Sequence, residues 1–234
     1  MIETLINGRW NLKLPEHRAA RPQWVTGWEP ERLASMYDLL EPGMTIVDCG
    51  AEEGDLTALY ALWGCYVVPI EPNPRVWPNI RAIFEANGLR DQIAACFVGF
   101  AGHVTETRGT EPTVPPHIYP PCAFGPVIGD HGFCQLNERP DIARITIDDL
   151  AAEANLDMGA ITIDSEGSEL HVLQGAARTL RTAKPIVWVS VHPVFMSEQY
   201  GHTPKDLNDY MEAAGYVGEL LAVDHEEHWL YLPA

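Results

Sequence analysis

Two acidic, glycine-containing segments of the sequence have the residue types and spacing of a nucleoside-binding site. The first, residues 48–54, reads DCGAEEG and follows an apolar run. Its glycines, Gly50 and Gly54, allow a sharp turn and a close approach of the backbone to a ligand. Glu71 follows Asp48 by 23 residues, near the roughly 20-residue interval at which such folds place an acid on ribose hydroxyls. The pattern predicts a nucleoside pocket, to which we assign Asp48, Gly50, Ala51, Gly54 and Glu71.

The type of nucleoside follows from the charge of this loop. A dinucleotide site reads G-x-G-x-x-G and offers backbone N–H groups to a pyrophosphate, whereas this loop reads G-x-x-x-G and carries Glu52, Glu53 and Asp55. Such acids repel a pyrophosphate but suit a ligand with a sulfonium and an amino group. They favour S-adenosylmethionine (SAM) as cofactor and weaken, without excluding, an NAD-dependent oxidoreductase. The alternative is that the glycines only shape a turn and the acids are solvated.

The second segment, residues 163–169, reads IDSEGSE and begins where a predicted strand ends. Asp164 leaves that strand at its carboxyl end, beside the first loop, where it can contact the methionine part of SAM or the methyl acceptor. His192 follows the next strand, and a histidine with a near-neutral pKa there is a candidate general base. We therefore predict Asp164, Glu166 and His192 as the catalytic residues. Glu166 and Glu169 could instead cap a helix, and His192 could be structural.

Strands that alternate with helices must position these residues. Apolar runs predict strands at residues 45–49, 65–70, 93–98, 160–163 and 186–191, and helical periodicity or capping predicts helices at 31–40, 55–63, 75–87, 169–181 and from Thr203. This alternation predicts an α/β fold with a doubly wound, mostly parallel sheet. Two consecutive strands at 216–223 and 228–232 add a C-terminal antiparallel hairpin.

Composition limits the partners and the location. The chain has 234 residues and a formal net charge of −18, so we expect neither bulk nucleic acid nor an anionic membrane as a partner. No apolar run approaches the roughly 20 residues that span a bilayer, and no signal peptide is visible. Cys49, Cys65 and Cys96 lie in apolar runs, which indicates buried thiols in a reducing compartment. We expect a cytoplasmic protein.

Two metal sites are alternatives that the sequence does not favour. The irregular stretch from residue 101 to 141 is rich in proline and glycine, which suggests a lid, a binding loop or disorder. It contains possible zinc ligands at His117, Cys122, His131 and Cys134, but without two well-formed ligand pairs. Asp164, Glu166 and His192 could instead hold Mg²⁺ or Mn²⁺.

Several segments together resemble an FkbM-type SAM-dependent methyltransferase from about residue 45 to 215. They read IVDCGAEEGDLTALYA, IEPNPRVWPNIRAIFEANGL, ITIDDL, ITIDSEGSELHVLQGAARTL and KPIVWVSVHP. The resemblance implies a Rossmann-like seven-strand sheet, SAM as donor and a hydroxylated small molecule, of sugar or natural-product type, as acceptor. Carried over by position, it places Asp48, Gly50 and Gly54 in the SAM pocket and Glu71 on the ribose. It places Ala101 against adenine, and Asp164 and Glu166 near the methyl group.

The sequence departs from this family at three positions. The first loop reads GAEEG where GANIG is common, Ser190 stands where an acid is common, and Thr162 replaces a basic residue. Ser190 leaves open a non-catalytic SAM- or nucleoside-binding module of a biosynthetic complex. We expect an N-terminal extension (1–43) that packs on the core or the acceptor site. A methyltransferase domain (44–234) would follow, with an irregular insertion at about 102–140.

Overall fold

The computed structural model of the chain describes residues 1–106 and 142–234. Within these ranges, the strands are β1 (Ile2–Ile6), β2 (Trp10–Leu14), β3 (Thr45–Cys49), β4 (Tyr66–Glu71), β5 (Phe97–Val98), β6 (Phe100–Ala101), β7 (Arg144–Ile145), β8 (Met158–Asp164), β9 (Ile186–Val191), β10 (Tyr216–Val223) and β11 (Glu227–Pro233). The α-helices are α1 (Glu16–Ala19), α2 (Gln23–Thr26), α3 (Pro30–Leu39), α4 (Asp55–Leu62), α5 (Trp77–Asn87), α6 (Ile147–Glu153), α7 (Glu169–Gln174), α8 (Ala177–Thr182), α9 (Pro193–Phe195) and α10 (Pro204–Ala213).

A seven-stranded sheet in the order β10-β11-β9-β8-β3-β4-β5 forms the centre of the molecule. Its strands from β9 to β5 run parallel, while β11 pairs antiparallel with both β9 and β10. The predicted mostly parallel sheet with a C-terminal antiparallel hairpin is therefore confirmed. Between β3 and β8 the strand order reverses, and ligands of open α/β sheets bind beyond the carboxyl ends of the strands at such a point.

Both faces of the central strands are covered, which explains their continuous apolar runs. Ile46 packs in one hydrophobic core with residues of α4 and α5, and Val47 packs in the other with residues of α7 and α8. The strand β3 aligns Asp48 with Thr162 and Cys49 with Ile163 of β8. This register brings the two motif-bearing loops to the same edge of the sheet.

The predicted helix at residues 169–181 is wrong, since the chain forms two helices, α7 and α8, with a break at Gly175. The Gly175 carbonyl accepts a hydrogen bond from the Asp148 N–H rather than from its own helix. A β-carbon at Gly175 would lie 2.0 Å from the Gly102 carbonyl oxygen. Close packing against residue 102 therefore requires glycine and interrupts the helix.

The N-terminal segment begins with a hairpin, β1–β2, that the sequence analysis missed. Its three-residue turn, residues 7–9, contains Asn7 and Gly8, both with positive φ, and an Asn-Gly pair is a strong hairpin signal. Leu12 and Leu14 of β2 are buried in the same core as the helices α4 and α5. Part of the predicted irregular insertion, residues 107–141, lies outside the described residues. The helices in the described part of the chain include none long and apolar enough to cross a membrane.

Candidate functional site

A cavity of about 380 Å³ lies at the carboxyl ends of β3, β4, β8 and β9. Its wall includes the loop after β3, the ends of β4, β8 and β9, residues 99–101, the N-terminal segment, and the turn between β10 and β11. The predicted site residues that line it are Asp48, Gly50, Ala51, Glu71, Ala101, Asp164, Glu166 and His192. The switch point of the sheet thus brings together residues that are 144 positions apart in sequence.

Glu71, the last residue of β4, has a carboxylate fixed by the backbone of two loops. Its Oε2 accepts a hydrogen bond from the Glu52 N–H at 3.0 Å, and its Oε1 accepts one from the Asn73 N–H at 2.7 Å. The side chain lines the cavity and the residue is only 7% exposed. Backbone donors therefore stabilise a charged acceptor group in the wall of the site.

Gly50 lies where the backbones of the two motif loops meet. Its φ is +92°, and a β-carbon there would lie 1.8 Å from the carbonyl oxygen of Asp164. Gly54, also at positive φ, precedes α4 and packs against the side chain of Ile80. It is absent from the cavity wall, where the sequence analysis expected it. Both positions require glycine, but only Gly50 lies in the wall.

Replacing Gly50 by alanine is expected to destabilise the fold more than the same change at Gly43. Gly43 has nearly the same φ, +90°, with no atom within 4 Å of a β-carbon, so both variants suffer similar backbone strain of about 1–2 kcal/mol. The clash with Asp164 should lower the free energy of unfolding by about a further 1–3 kcal/mol in Gly50→Ala. Urea denaturation measures both losses, and equal losses would contradict this account.

The acids of the first loop are paired within the protein, which corrects the charge argument for a cationic ligand. Arg18 of α1 is buried and donates to Glu52 Oε2 at 2.6 Å and, through Nε, to Asp55 Oδ2 at 2.8 Å. Glu53 lies 2.7 Å from His17 Nε2. Arg21 also pairs with Glu52, at 3.0 Å. The two arginines of the N-terminal segment therefore offset part of this negative charge, and the loop attracts a sulfonium less strongly than its sequence suggests.

At the other end of the cavity, four carboxylates surround the imidazole of His192. Its Nδ1 lies 2.9 Å from Glu169 Oε1, and its Nε2 lies 2.7 Å from Glu226 Oε2. From Nε2, Asp164 Oδ1 is 3.7 Å away and Glu166 Oε2 is 3.6 Å away. Three segments thus converge here: the loop after β8, the end of β9 and the turn before β11.

Burial and these contacts shift several pKa values. Burial alone would lower the pKa of His192, but Glu169 and Glu226 outweigh it and raise that pKa to about 11. This raised pKa is opposite to the near-neutral value expected, and it favours a protonated imidazole that positions the carboxylates over a general base. Burial, reinforced by Glu226, raises the pKa of Asp164 well above its ordinary value, and burial also raises the pKa of Glu166.

Beneath the cavity, Asp48 is buried and accepts a hydrogen bond from the Thr57 hydroxyl. Burial raises the pKa of Asp48 to about 6. Thr162, which stands where the family commonly has a basic residue, accepts a 2.6 Å hydrogen bond from buried Arg32 of α3. The N-terminal segment thus supplies a positively charged side chain, Arg32, at this position.

Sequence reasoning missed Glu29, Arg32 and Glu226 as residues of the site. Glu226 lies in the polar turn of the C-terminal hairpin, and only the pairing of β11 with β9 brings it to His192. Glu29 precedes α3 in a left-handed conformation, φ 40°, and pairs with Arg32. No local pattern marks either acid as functional. The four zinc-ligand candidates in residues 117–134 lie outside the described residues.

Comparisons with known proteins agree with this architecture. The search of curated proteins gives no match. A methyltransferase FkbM from Methylobacillus flagellatus KT has a similar structure, with 21% identity and a TM-score of 0.56 over 92% of this chain and 51% of its own. A precorrin-6y C5,15-methyltransferase from Geobacter metallireducens GS-15 has 12% identity and a TM-score of 0.51, over 89% of each chain.

These identities establish the shared fold, and the chain spans only about half of the M. flagellatus protein. The family assignment comes from the sequence itself, because the pattern that defines the methyltransferase FkbM domain matches residues 48–217. The match covers more than half of the chain and runs from Asp48 in the first loop to the beginning of the C-terminal hairpin. The chain belongs to the FkbM methyltransferase domain family.

Proposed function

We propose that the protein is a SAM-dependent O-methyltransferase that acts on a hydroxylated small molecule of sugar or natural-product type. The observation that carries this proposal is the cavity at the switch point. Glu71 lies in its wall at one end, and His192 with its four surrounding carboxylates lies at the other. The Glu71 end has the groups that bind a nucleoside. The His192 end has carboxylates that can accept the proton of a hydroxyl group.

The residues at the Glu71 end fit the nucleoside of SAM. A carboxylate accepts about four hydrogen bonds, so Glu71 can bind ribose hydroxyls beside the two backbone N–H groups that hold it. Ala51, Phe100 and Ala101 supply apolar surface to the same cavity, as a purine ring requires. Gly50 keeps the backbone of the loop close to β8 and so leaves room for the ligand.

At the other end, the chain would position the acceptor and take its proton. When bound, SAM supplies a methyl group activated by a positively charged sulfur. The chain would hold the acceptor oxygen within reach of that methyl group, and S-adenosylhomocysteine would be the other product. Asp164 or Glu166 accepts the hydroxyl proton, and protonated His192 holds these carboxylates in place. Positioning supplies most of the remaining acceleration.

The charge of the chain supports a small acceptor. A net charge of −18 disfavours binding to a phosphate backbone, and the N-terminal segment contributes Trp24 and Trp28 to the cavity wall. We therefore propose that residues 1–43 help to select the acceptor. We place the reaction in the cytoplasm, which is consistent with the buried free thiols of Cys49, Cys65 and Cys96.

Thermal unfolding with SAM, S-adenosylhomocysteine or NAD tests the proposed cofactor. At 100 times its Kd, a ligand adds about 2.7 kcal/mol, or roughly 5–11 °C for a domain of this size. We expect a shift with SAM and with S-adenosylhomocysteine but none with NAD. A shift with NAD alone would favour an oxidoreductase, and SAM binding without transfer to any of a panel of hydroxylated acceptors would favour the non-catalytic module.

A further inference from the structure

We propose that the acceptor end of the cavity binds a divalent cation, with Mn²⁺ as the best fit, between Asp164, His192 and Glu226. One ligand atom from each of these residues lies within 4.8 Å of the other two, and all three line the cavity. The role that we give the cation, holding the acceptor hydroxyl, rests on the proposed function. The binding site itself rests only on the geometry.

A buried carboxylate oxygen beside this group points to a missing ligand. The side chain of Glu29 is 1% exposed, and its Oε1 has no hydrogen-bond partner among the described residues. Its other oxygen pairs with Arg32. Glu29, Glu226 and His228 form a second group whose ligand atoms lie within 4.8 Å of one another. An orphaned buried oxygen is costly, and a cation next to Glu226 would be attracted to it.

The charges near His192 also call for a cation. Asp164, Glu166, Glu169, Glu226 and Glu29 bring five carboxyl groups to this end of the cavity. The described groups beside them that can carry a positive charge are Arg32, His192, His225 and His228. Burying carboxylates without compensating charge is strongly unfavourable. One divalent cation offsets two of these charges and bonds directly to the oxygens. The N-terminal and C-terminal segments supply the additional acids, which is why the sequence motifs alone gave no reason to favour a metal.

The donor set favours Mn²⁺ over Mg²⁺. Two carboxylates and one imidazole are mixed oxygen and nitrogen ligands, whereas Mg²⁺ strongly prefers oxygen in near-ideal octahedral geometry. A cation at this position would replace the proton on His192 Nε2 and would hold the acceptor hydroxyl, making it more acidic.

Direct titration with Mn²⁺ tests the site without any substrate. The full chain, stripped with EDTA and desalted into 150 mM NaCl, is titrated with MnCl₂ while electron paramagnetic resonance measures free Mn²⁺. We expect one Mn²⁺ per chain, binding at least 10-fold more weakly in Glu226→Gln. The matched control is Glu219→Gln, which removes an exposed carboxylate from the same hairpin and should leave binding unchanged. No binding below 1 mM, or equal binding in all three proteins, would overturn the proposal.

A spectroscopic measurement on the unmodified chain covers the case in which Glu226→Gln does not fold. Electron spin echo modulation of bound Mn²⁺ should show coupling to an imidazole ¹⁴N, because His192 is one of the ligands. Bound Mn²⁺ without nitrogen coupling would overturn the assignment. Thermal shifts with SAM in the presence of EDTA test the cofactor separately. A chain that binds SAM but no Mn²⁺ would therefore contradict only the cation site. A chain that binds Mn²⁺ but no SAM would contradict only the proposed function.

Discussion

Replacing Glu71 by alanine is expected to raise the Kd for SAM by about 100-fold, through the loss of charge-assisted hydrogen bonds worth about 1.5–3 kcal/mol each. The carboxylate is buried and held by the N–H groups of Glu52 and Asn73. In the proposed binding mode, Glu71 would therefore contact the ribose with little cost in side-chain entropy. Isothermal titration calorimetry with SAM, and independently with S-adenosylhomocysteine, measures the change.

The variant Glu71→Gln is a conservative substitution to be measured beside Glu71→Ala. It keeps the size of the side chain and one acceptor oxygen, so its Kd should lie between those of the wild type and Glu71→Ala. Arg81→Gln serves as the control, since Arg81 is a surface residue of α5 that pairs with Glu85 outside the cavity. A Kd for SAM that does not change in Glu71→Ala would mean that the nucleoside binds elsewhere, while the fold assignment would stand.

The second large effect is expected at Asp164, the last residue of β8. Asparagine has almost the same shape but can neither accept the hydroxyl proton nor supply a full negative charge. Turnover in Asp164→Asn should fall by about 10²–10⁴-fold, while the Kd for SAM should change by only a few fold. Single-turnover methyl transfer, together with calorimetry for SAM, separates the two quantities.

Asp157→Asn is a matched control at the opposite end of the same strand. Asp157 is exposed and immediately precedes β8, so its variant makes the same chemical change about one strand length from the cavity. Its turnover should equal that of the wild type. If Asp164→Asn turned over at the wild-type rate, the acceptor end of the cavity would have been misassigned. A loss confined to SAM affinity would instead place Asp164 on the methionine part of the cofactor.

The elements around the first loop could be predicted from the sequence because their signals are local. The run TIVDC is followed directly by Gly50, and β3 has the predicted bounds, Thr45–Cys49. Thr203 caps α10 through a reciprocal hydrogen bond with Asp206, as its position before Pro204 indicates. Alternating strands and helices then imply a parallel sheet, and the switch point follows from its strand order.

The N-terminal hairpin was predictable in principle, since Asn7-Gly8 precedes the run WNLKL, whose apolar and polar residues alternate. The ion pairs of Arg18 were not, because they join residues 34 and 37 positions apart through side chains that carry no shared pattern. The same limit applies to Glu226. Its sequence context predicts a polar turn, and only the antiparallel pairing of β11 with β9 makes it a neighbour of His192.

The position of Glu226 in the C-terminal hairpin has a consequence for how the protein is made. Chains grow from the N-terminus at about 5–20 residues per second, so Glu226 is added roughly 2–7 seconds after His192. During that interval the nascent chain already holds Asp164, Glu166, Glu169 and His192, but the strand β11 that carries Glu226 to them does not exist. The carboxylates around His192 can therefore come together completely only after Glu226 has been added, and a ribosome that stalls between these two residues would leave a nascent chain in which His192 lacks this partner.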